Sequence, residues 1–195
     1  MTAGAPAADH GMVASLGMYD PPPLMAANDR FWALIRDRLR ARAIPAPEAL
    51  TRGEAAYWPA WESPGLVLSQ TCGRPYRSRL HGRVTLVGAP DYGLGGCPPG
   101  HYRSLWVARA DDRRARVEDF AGAVLAVNGA DSQSGWAAPL NEAAARGIAF
   151  GGLLETGAHV ASARAVAAGQ AAIAAIDALT WAILAENGLA APGLR

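Results

Sequence analysis

With 195 residues, 51% of them hydrophobic and 18% charged, the chain has the composition of a globular protein with a real core. That composition excludes a disordered or membrane-embedded chain, and a formal net charge of +1 excludes a global field that would gather nucleic acid or an anionic membrane. All the cationic side chains are arginine, which removes Schiff-base and P-loop lysine chemistry together. Two cysteines, Cys72 and Cys97, are too few for a disulfide framework, although they could pair in an oxidising compartment. Without CxxC spacing, and with four histidines, a structural zinc site has no support. No apolar run is long enough to span a bilayer, and Met1–Gly11 lacks the basic-then-apolar pattern of an export signal. Residues 1–12 read as a disordered tail.

In chain order, Val13–Tyr19 predicts a first strand, stopped by Asp20-Pro21-Pro22-Pro23. Asn28 is placed to cap a helix whose buried face is Phe31, Trp32, Leu34, Ile35 and Leu39, with Arg36, Asp37, Arg38 and Arg40 toward water. A proline-rich stretch, 45–64, carries Tyr57, Trp58 and Trp61, aromatic cover for a core. Leu66–Gln70 reads as a second strand, parallel to the first and ending at Thr71-Cys72-Gly73. Tyr19 and Thr71 then sit at carboxyl ends of strands, the edge where open α/β sheets bind ligands. Val84–Gly88 has the composition of a third strand, followed by a loop rich in glycine and proline over 93–100.

The second half alternates more sharply. Strands are expected at Tyr102–Ala108, Ala123–Val127, Ile148–Leu154 and Ala171–Ile176. Helices are expected at Ser134–Arg146, His159–Ala168 and from Leu179 to Leu189. The alternation argues for parallel βαβ units. The resulting picture is α/β with two lobes: lobe 1 over 13–95, lobe 2 over 96–178, and a return segment, 179–195, running toward lobe 1.

The stretch Val127-Asn-Gly-Ala-Asp-Ser-Gln-Ser-Gly-Trp136 is a strand feeding a helix through small hydroxyl residues. The first turn of a helix has unpaired N–H groups and the positive end of the dipole, and Ser132 and Ser134 add hydroxyls, so the turn suits an oxyanion. An ordinary N-cap would look the same locally. Glu155-Thr-Gly-Ala-His159 repeats the logic at a second helix start, and Asp177 ends the last strand, either as a helix cap or as a partner for a ligand cation.

Ser132-Gln-Ser-Gly-Trp136, Glu155–His159 with Ser162-Ala-Arg-Ala-Val-Ala-Ala-Gly169, and Ala172–Asp177 together resemble phosphonate-type substrate-binding proteins of ABC importers. Ser15–Tyr19 and Leu68-Ser-Gln-Thr-Cys-Gly73 fit the same pattern. The resemblance implies a type II periplasmic-binding fold, two lobes closing on a small oxyanion, with an ABC permease as partner, a periplasmic location, and no cofactor or metal. It assigns the phosphonyl-binding turn to Ser132, Gln133, Ser134 and Gly135, a supporting contact to His159, a ligand amine to Asp177 and the facing wall to Tyr19 and Thr71. Against the pattern, Ala158 stands where a serine is common, no export signal is read, and the segment after Asp177 is short, so the first lobe is expected to be incomplete. Two other functions remain on the same scaffold: an enzyme of the thiamin-precursor type, with Cys72 and a base from His81, His101 or His159, and a ligand-sensing module.

Overall fold

The computed structural model describes residues 11–195, so most of the expected tail, residues 1–10, lies outside the described residues. The chain divides into two compact units between Cys72 and Gly73, whereas the sequence reading placed the boundary between residues 95 and 96.

In the first unit, β1 (Val13–Ser15) and β2 (Leu66–Ser69) pair in parallel, as their apolar runs required. The first strand is shorter than expected. Gly17–Tyr19 curls into a 3-10 turn, and Tyr19 leaves the ladder, its carbonyl accepting a hydrogen bond of 2.9 Å from Asn28 Nδ2. Helix α1 runs Met25–Arg40 and is entered through a second 3-10 turn, Pro22–Leu24. Asn28 is therefore inside the helix rather than its cap, and its side chain reaches back to Tyr19 and to Asp20 Oδ1 at 2.8 Å.

The helix buries a narrower stripe than its sequence suggests. Trp32 is fully buried and, with Ile35 and Leu39, packs on Ala14, Leu16, Ala46 and Leu50. Phe31 and Leu34 are 52% and 57% exposed, because a two-stranded sheet covers only the i, i+3, i+7 line and both lie to one side of it. Arg36, expected in water, is largely covered by its ion pairs with Asp37 and Glu48. The aromatic cover is as expected: Trp61, in the short helix α2 (Trp58–Trp61), is buried and meets Tyr57 and Trp58 edge to face at 5.8 and 5.0 Å.

The second unit opens with helix α3 (Gly73–Pro75), prolonged by a wider helical turn, Tyr76–Leu80. The third strand expected at Val84–Gly88 is not formed. Val84 makes one isolated bridge, to His81, while Leu86 and Val87 are 64% and 83% exposed. Strand propensity measures the fit of a side chain to a paired, half-covered surface, and no ladder meets this segment.

A four-stranded sheet follows, in the order β3-β6-β4-β5, from β3 (Ser104–Ala108), β4 (Val124–Val127), β5 (Gly152–Glu155) and β6 (Ile173–Asp177). β4 is parallel to both β5 and β6, and β3 is antiparallel to β6. Helix α4 (Ala138–Ala145) and helix α5 (His159–Ala167) supply the crossovers. Leu125 and Val127 face a cluster with Phe120, Ile173, Trp136 and Leu140, whereas Ala126 faces a second with Val107, Ala163, Val166 and Ile176. The strand is thus covered on both faces, which is why it reads as unbroken apolar sequence. Fully burying each Leu, Ile or Val here contributes about 1.5–3 kcal/mol.

Helix α6 (Ala178–Glu186) follows, and the chain after it stays with this sheet instead of leaving it. Ala108 and Arg195 exchange backbone hydrogen bonds of 3.0 and 2.9 Å, and the Arg195 guanidinium donates to the carbonyls of Arg109, Asp112 and Arg114. No helix among the described residues is long and apolar enough to cross a membrane.

Candidate oxyanion site

Because β4, β5 and β6 run in the same direction, their carboxyl ends share one edge of the sheet. Three of the stretches singled out in the sequence leave from that edge: 128–135 after β4, 156–159 after β5, and Asp177 ending β6. The β4–β5 ladder continues into the loops. Thr156 N–H donates to the Val127 carbonyl at 2.9 Å and Gly157 N–H to the Asn128 carbonyl at 2.7 Å. Gly157 then takes a φ of +83°, a region open to glycine, and turns the chain into α5. Thr156 fixes this corner, its hydroxyl donating to the Val127 carbonyl at 3.0 Å and lying 2.7 Å from the buried Ser162 Oγ.

Ser132 is the N-cap of the helix that includes α4, with Oγ accepting from Gly135 N–H at 3.0 Å. The first turn, Gln133–Ala137, is wider than an α-turn: Ala137 N–H reaches the Ser132 carbonyl, five residues back, at 3.0 Å. Ser134 is 5% exposed, and its Oγ lies 2.8 Å from His159 Nε2, joining two helix starts that are 25 residues apart in the chain. The Ser134 carbonyl also accepts from Ser104 Oγ at 2.9 Å, and Ser104 is the ladder partner of Asp177. Ser132, Ser134, His159 and Asp177 are thereby tied to neighbouring positions on one edge.

Gly135 has a packing reason to be glycine: a β-carbon there would lie 1.9 Å from Asn128 Oδ1. Gln133 turns to one side, where its Oε1 accepts from the Arg77 guanidinium at 2.6 Å. Asp177 is 2% exposed and caps α6, accepting from Leu179 N–H (2.7 Å), Thr180 N–H (3.0 Å) and Thr180 Oγ1 (3.1 Å).

Burial pushes the His159 imidazole below its ordinary pKa, opposed by the Asp177 charge and by the Ala175 carbonyl. The ring and the Ser134 hydroxyl lie at hydrogen-bonding distance. His159 Nδ1 is buried without an acceptor at hydrogen-bonding geometry, and the Asp177 oxygens are engaged by α6. What the arrangement offers is a set of neutral donors: hydroxyls and the N–H groups of two helix starts. The described residues hold no cluster of three or more His, Cys, Asp or Glu side chains fit to take a metal.

Tyr19 and Thr71 belong to the first unit. Thr71, just beyond β2, is half-buried, its hydroxyl making a long 3.5 Å contact to the Cys72 carbonyl. Cys72 and Cys97 are both half-buried. Sequence reasoning missed Asn128, Ser104, Thr156 and Arg77. The signal for Arg77 was present: Arg74, Arg77, Arg79 and Arg83 fall in the stretch 63–90, which contains no acidic residue. A shallow depression of about 190 Å³, lined by Arg109, Val124, Gly169, Gln170, Ala171 and Ala172, lies at the opposite, amino-terminal edge of β4, away from these groups.

Residues 78–195 match the model of a family described as the periplasmic substrate-binding protein of phosphonate ABC transporters. Comparison with curated proteins gives no match. Among solved structures, the chain is similar to XAC2383 from Xanthomonas citri bound to chloride ion, at 22% identity and a TM-score of 0.43, over 48% of this chain and 39% of that one. A second structure, XAC2383 from Xanthomonas citri bound to ATP, matches at 22% identity and a TM-score of 0.39, over 41% of this chain and 34% of that one. The chain thus spans well under half the length of the solved proteins it matches.

Proposed function

Because the chain belongs to the family of phosphonate ABC-transporter periplasmic substrate-binding proteins, we propose that its second unit binds a small tetrahedral oxyanion, a phosphonate or phosphate, for delivery to an ABC transporter. The fold class is that of the family, α/β of the periplasmic-binding kind, and the family is one of binding proteins, not enzymes. The single observation that carries the proposal to particular residues is the 2.8 Å bond between Ser134 and His159, which brings the first turns of two helices to one point at the carboxyl edge of the sheet. Ser132, Ser134, the turn at Gln133–Gly135 and His159 hold the anion in this reading, and Asp177 faces a cationic substituent on it. Neutral donors suit such a ligand, since N–H and O–H groups replace its water without requiring a compensating buried charge. Tyr19 and Thr71 lie outside the residues matched to the family, and their role as ligand wall rests on the sequence resemblance.

A thermal-shift screen with phosphate, phosphite, methylphosphonate, 2-aminoethylphosphonate, sulfate and taurine tests this. A ligand at about 100 times its dissociation constant adds about 2.7 kcal/mol of stability. The expected result is a shift with a phosphonate or phosphate that Ser134→Ala and His159→Ala each abolish. A cooperative melt that no anion moves, or a shift that survives both substitutions, refutes the assignment.

A further inference from the structure

The oxyanion turn is short of positive charge. His159 is pushed toward its neutral form, Asp177 is buried at the same edge, and the carboxylates of Asp131 and Glu155 flank Gly129, 3.4 and 3.3 Å from where its β-carbon would stand. A multiply charged anion meets a locally acidic surface unless a cation is supplied. The segment 73–83 supplies four arginines, and its first residue packs against Gln133, whose Cγ lies 3.6 Å from the β-carbon position of Gly73. Arg77 is the one that bonds to the turn itself, at 2.6 Å from Gln133 Oε1.

The kind of partner matters. Arg109, Arg114, Arg116 and Arg146 of the same unit are bonded to carboxylates, which cancel much of their charge. The amide oxygen of Gln133 holds the Arg77 guanidinium in place and leaves its charge intact. We infer that Arg77 is a further recognition residue of this site, a guanidinium held beside the oxyanion turn by Gln133 to draw in and favour doubly charged small oxyanions, with Gln133 as its positioning residue. The inference rests on the binding reading of the same turn.

The test is calorimetric binding of methylphosphonate and of inorganic phosphate to the full chain at low and high ionic strength. The variants are Arg77→Gln, Arg77→Lys, Gln133→Leu and Ser134→Ala, with Arg164→Gln, an exposed arginine on α5, as control. One charge acting on a dianion across about 8 Å of water-like surroundings corresponds to about a threefold to tenfold change in affinity. Arg77→Gln is therefore expected to weaken binding about threefold to tenfold at low salt, with the difference shrinking at high salt as screening removes it. Arg77→Lys restores most of the loss, Gln133→Leu falls between, Arg164→Gln matches the wild type, and the ligand-free melting temperature of Arg77→Gln is unchanged. If Ser134→Ala abolishes binding while Arg77→Gln binds as the wild type at low salt, the role of Arg77 is overturned and the site reading stands. If the wild type binds neither anion, or Ser134→Ala leaves binding intact, the site reading fails and the inference falls with it.

Discussion

Gly135→Ala probes how tightly the turn is built. The new β-carbon would stand 1.9 Å from Asn128 Oδ1, 2.5 Å from its Cγ and 3.1 Å from its Nδ2. Unstrained heavy-atom contacts sit near 3.5–4.0 Å, so the asparagine side chain must retreat by roughly 1–2 Å. Its main chain cannot follow freely, because the Asn128 carbonyl is held by Gly157 N–H at 2.7 Å. Two terms compete: alanine over glycine in a helical turn gains about 1 kcal/mol, and overpacking costs about 1–3 kcal/mol. The net expectation is a loss of about 0–2 kcal/mol. Asn128 Oδ1 is buried without a hydrogen-bond partner, so Asn128→Ala sacrifices no bond at that oxygen and should cost under about 1 kcal/mol. Removing the side chain also removes the clash, so the double variant should be no less stable than Asn128→Ala alone, a coupling of about 1–3 kcal/mol in a double-mutant cycle. Urea denaturation of the four proteins, with slopes compared to verify a common unfolded state, measures it. If the two changes add within about 0.5 kcal/mol, the steric account of this glycine is wrong.

The acid limb of stability should report His159. Its pKa in the folded protein is lowered from the ordinary 6.5, so below that value the unfolded chain takes up the proton first, and stability, fully present at neutral pH and above, falls as pH drops toward the folded pKa. His159→Gln should flatten this part of a denaturation-versus-pH profile, and parallel wild-type and variant profiles would show that the ring does not titrate differently on folding. Asp177→Ala removes the acceptor of two backbone N–H groups and a hydroxyl at the start of α6, and should cost about 1–2 kcal/mol in a denaturant titration. Asp177→Asn keeps one carbonyl oxygen for the cap and should lose less. If the carboxylate also faces a ligand amine, the asparagine variant weakens 2-aminoethylphosphonate more than methylphosphonate in paired binding assays. Equal weakening of the two ligands assigns Asp177 to the cap alone.

The β4 and β6 stretches were legible because both faces of their sheet are covered and the sequence is apolar without a break. The same logic failed at Val84–Gly88, where an apolar, β-branched run has no ladder to join. Composition registers what a side chain would do on a sheet, not whether a neighbouring strand arrives. Helix α1 failed in a milder way. Its periodicity gave a wide apolar face, but the breadth of that face is set by what lies opposite, and two short strands cover Trp32, Ile35 and Leu39 without reaching Phe31 and Leu34. Asn28 looked like a cap because asparagine commonly is one, whereas here the prolines at 21–23 set the helix entry and free the side chain to hold Tyr19 and Asp20.

The turn at Ser132–Gly135 could be read locally, because its chemistry is local: a cap and a glycine within a few residues. The pairing of Ser134 with His159 could not be derived that way, since it depends on β4 and β5 being adjacent and in register at Val127 and Glu155. Helix-start chemistry singled out the two residues and motif resemblance joined them in one site, and the ladder supplies the reason they meet. Asn128 and Ser104 had no sequence signal at all, being an ordinary asparagine at a strand end and an ordinary serine at a strand start. Arg77 had a signal, an arginine-rich stretch with no acid, but only the bond to Gln133 distinguishes it from its three neighbours. The difference is physical. Donor sets formed by consecutive residues can be read from the chain, whereas the charge balance around them is set by residues that the fold brings in from elsewhere.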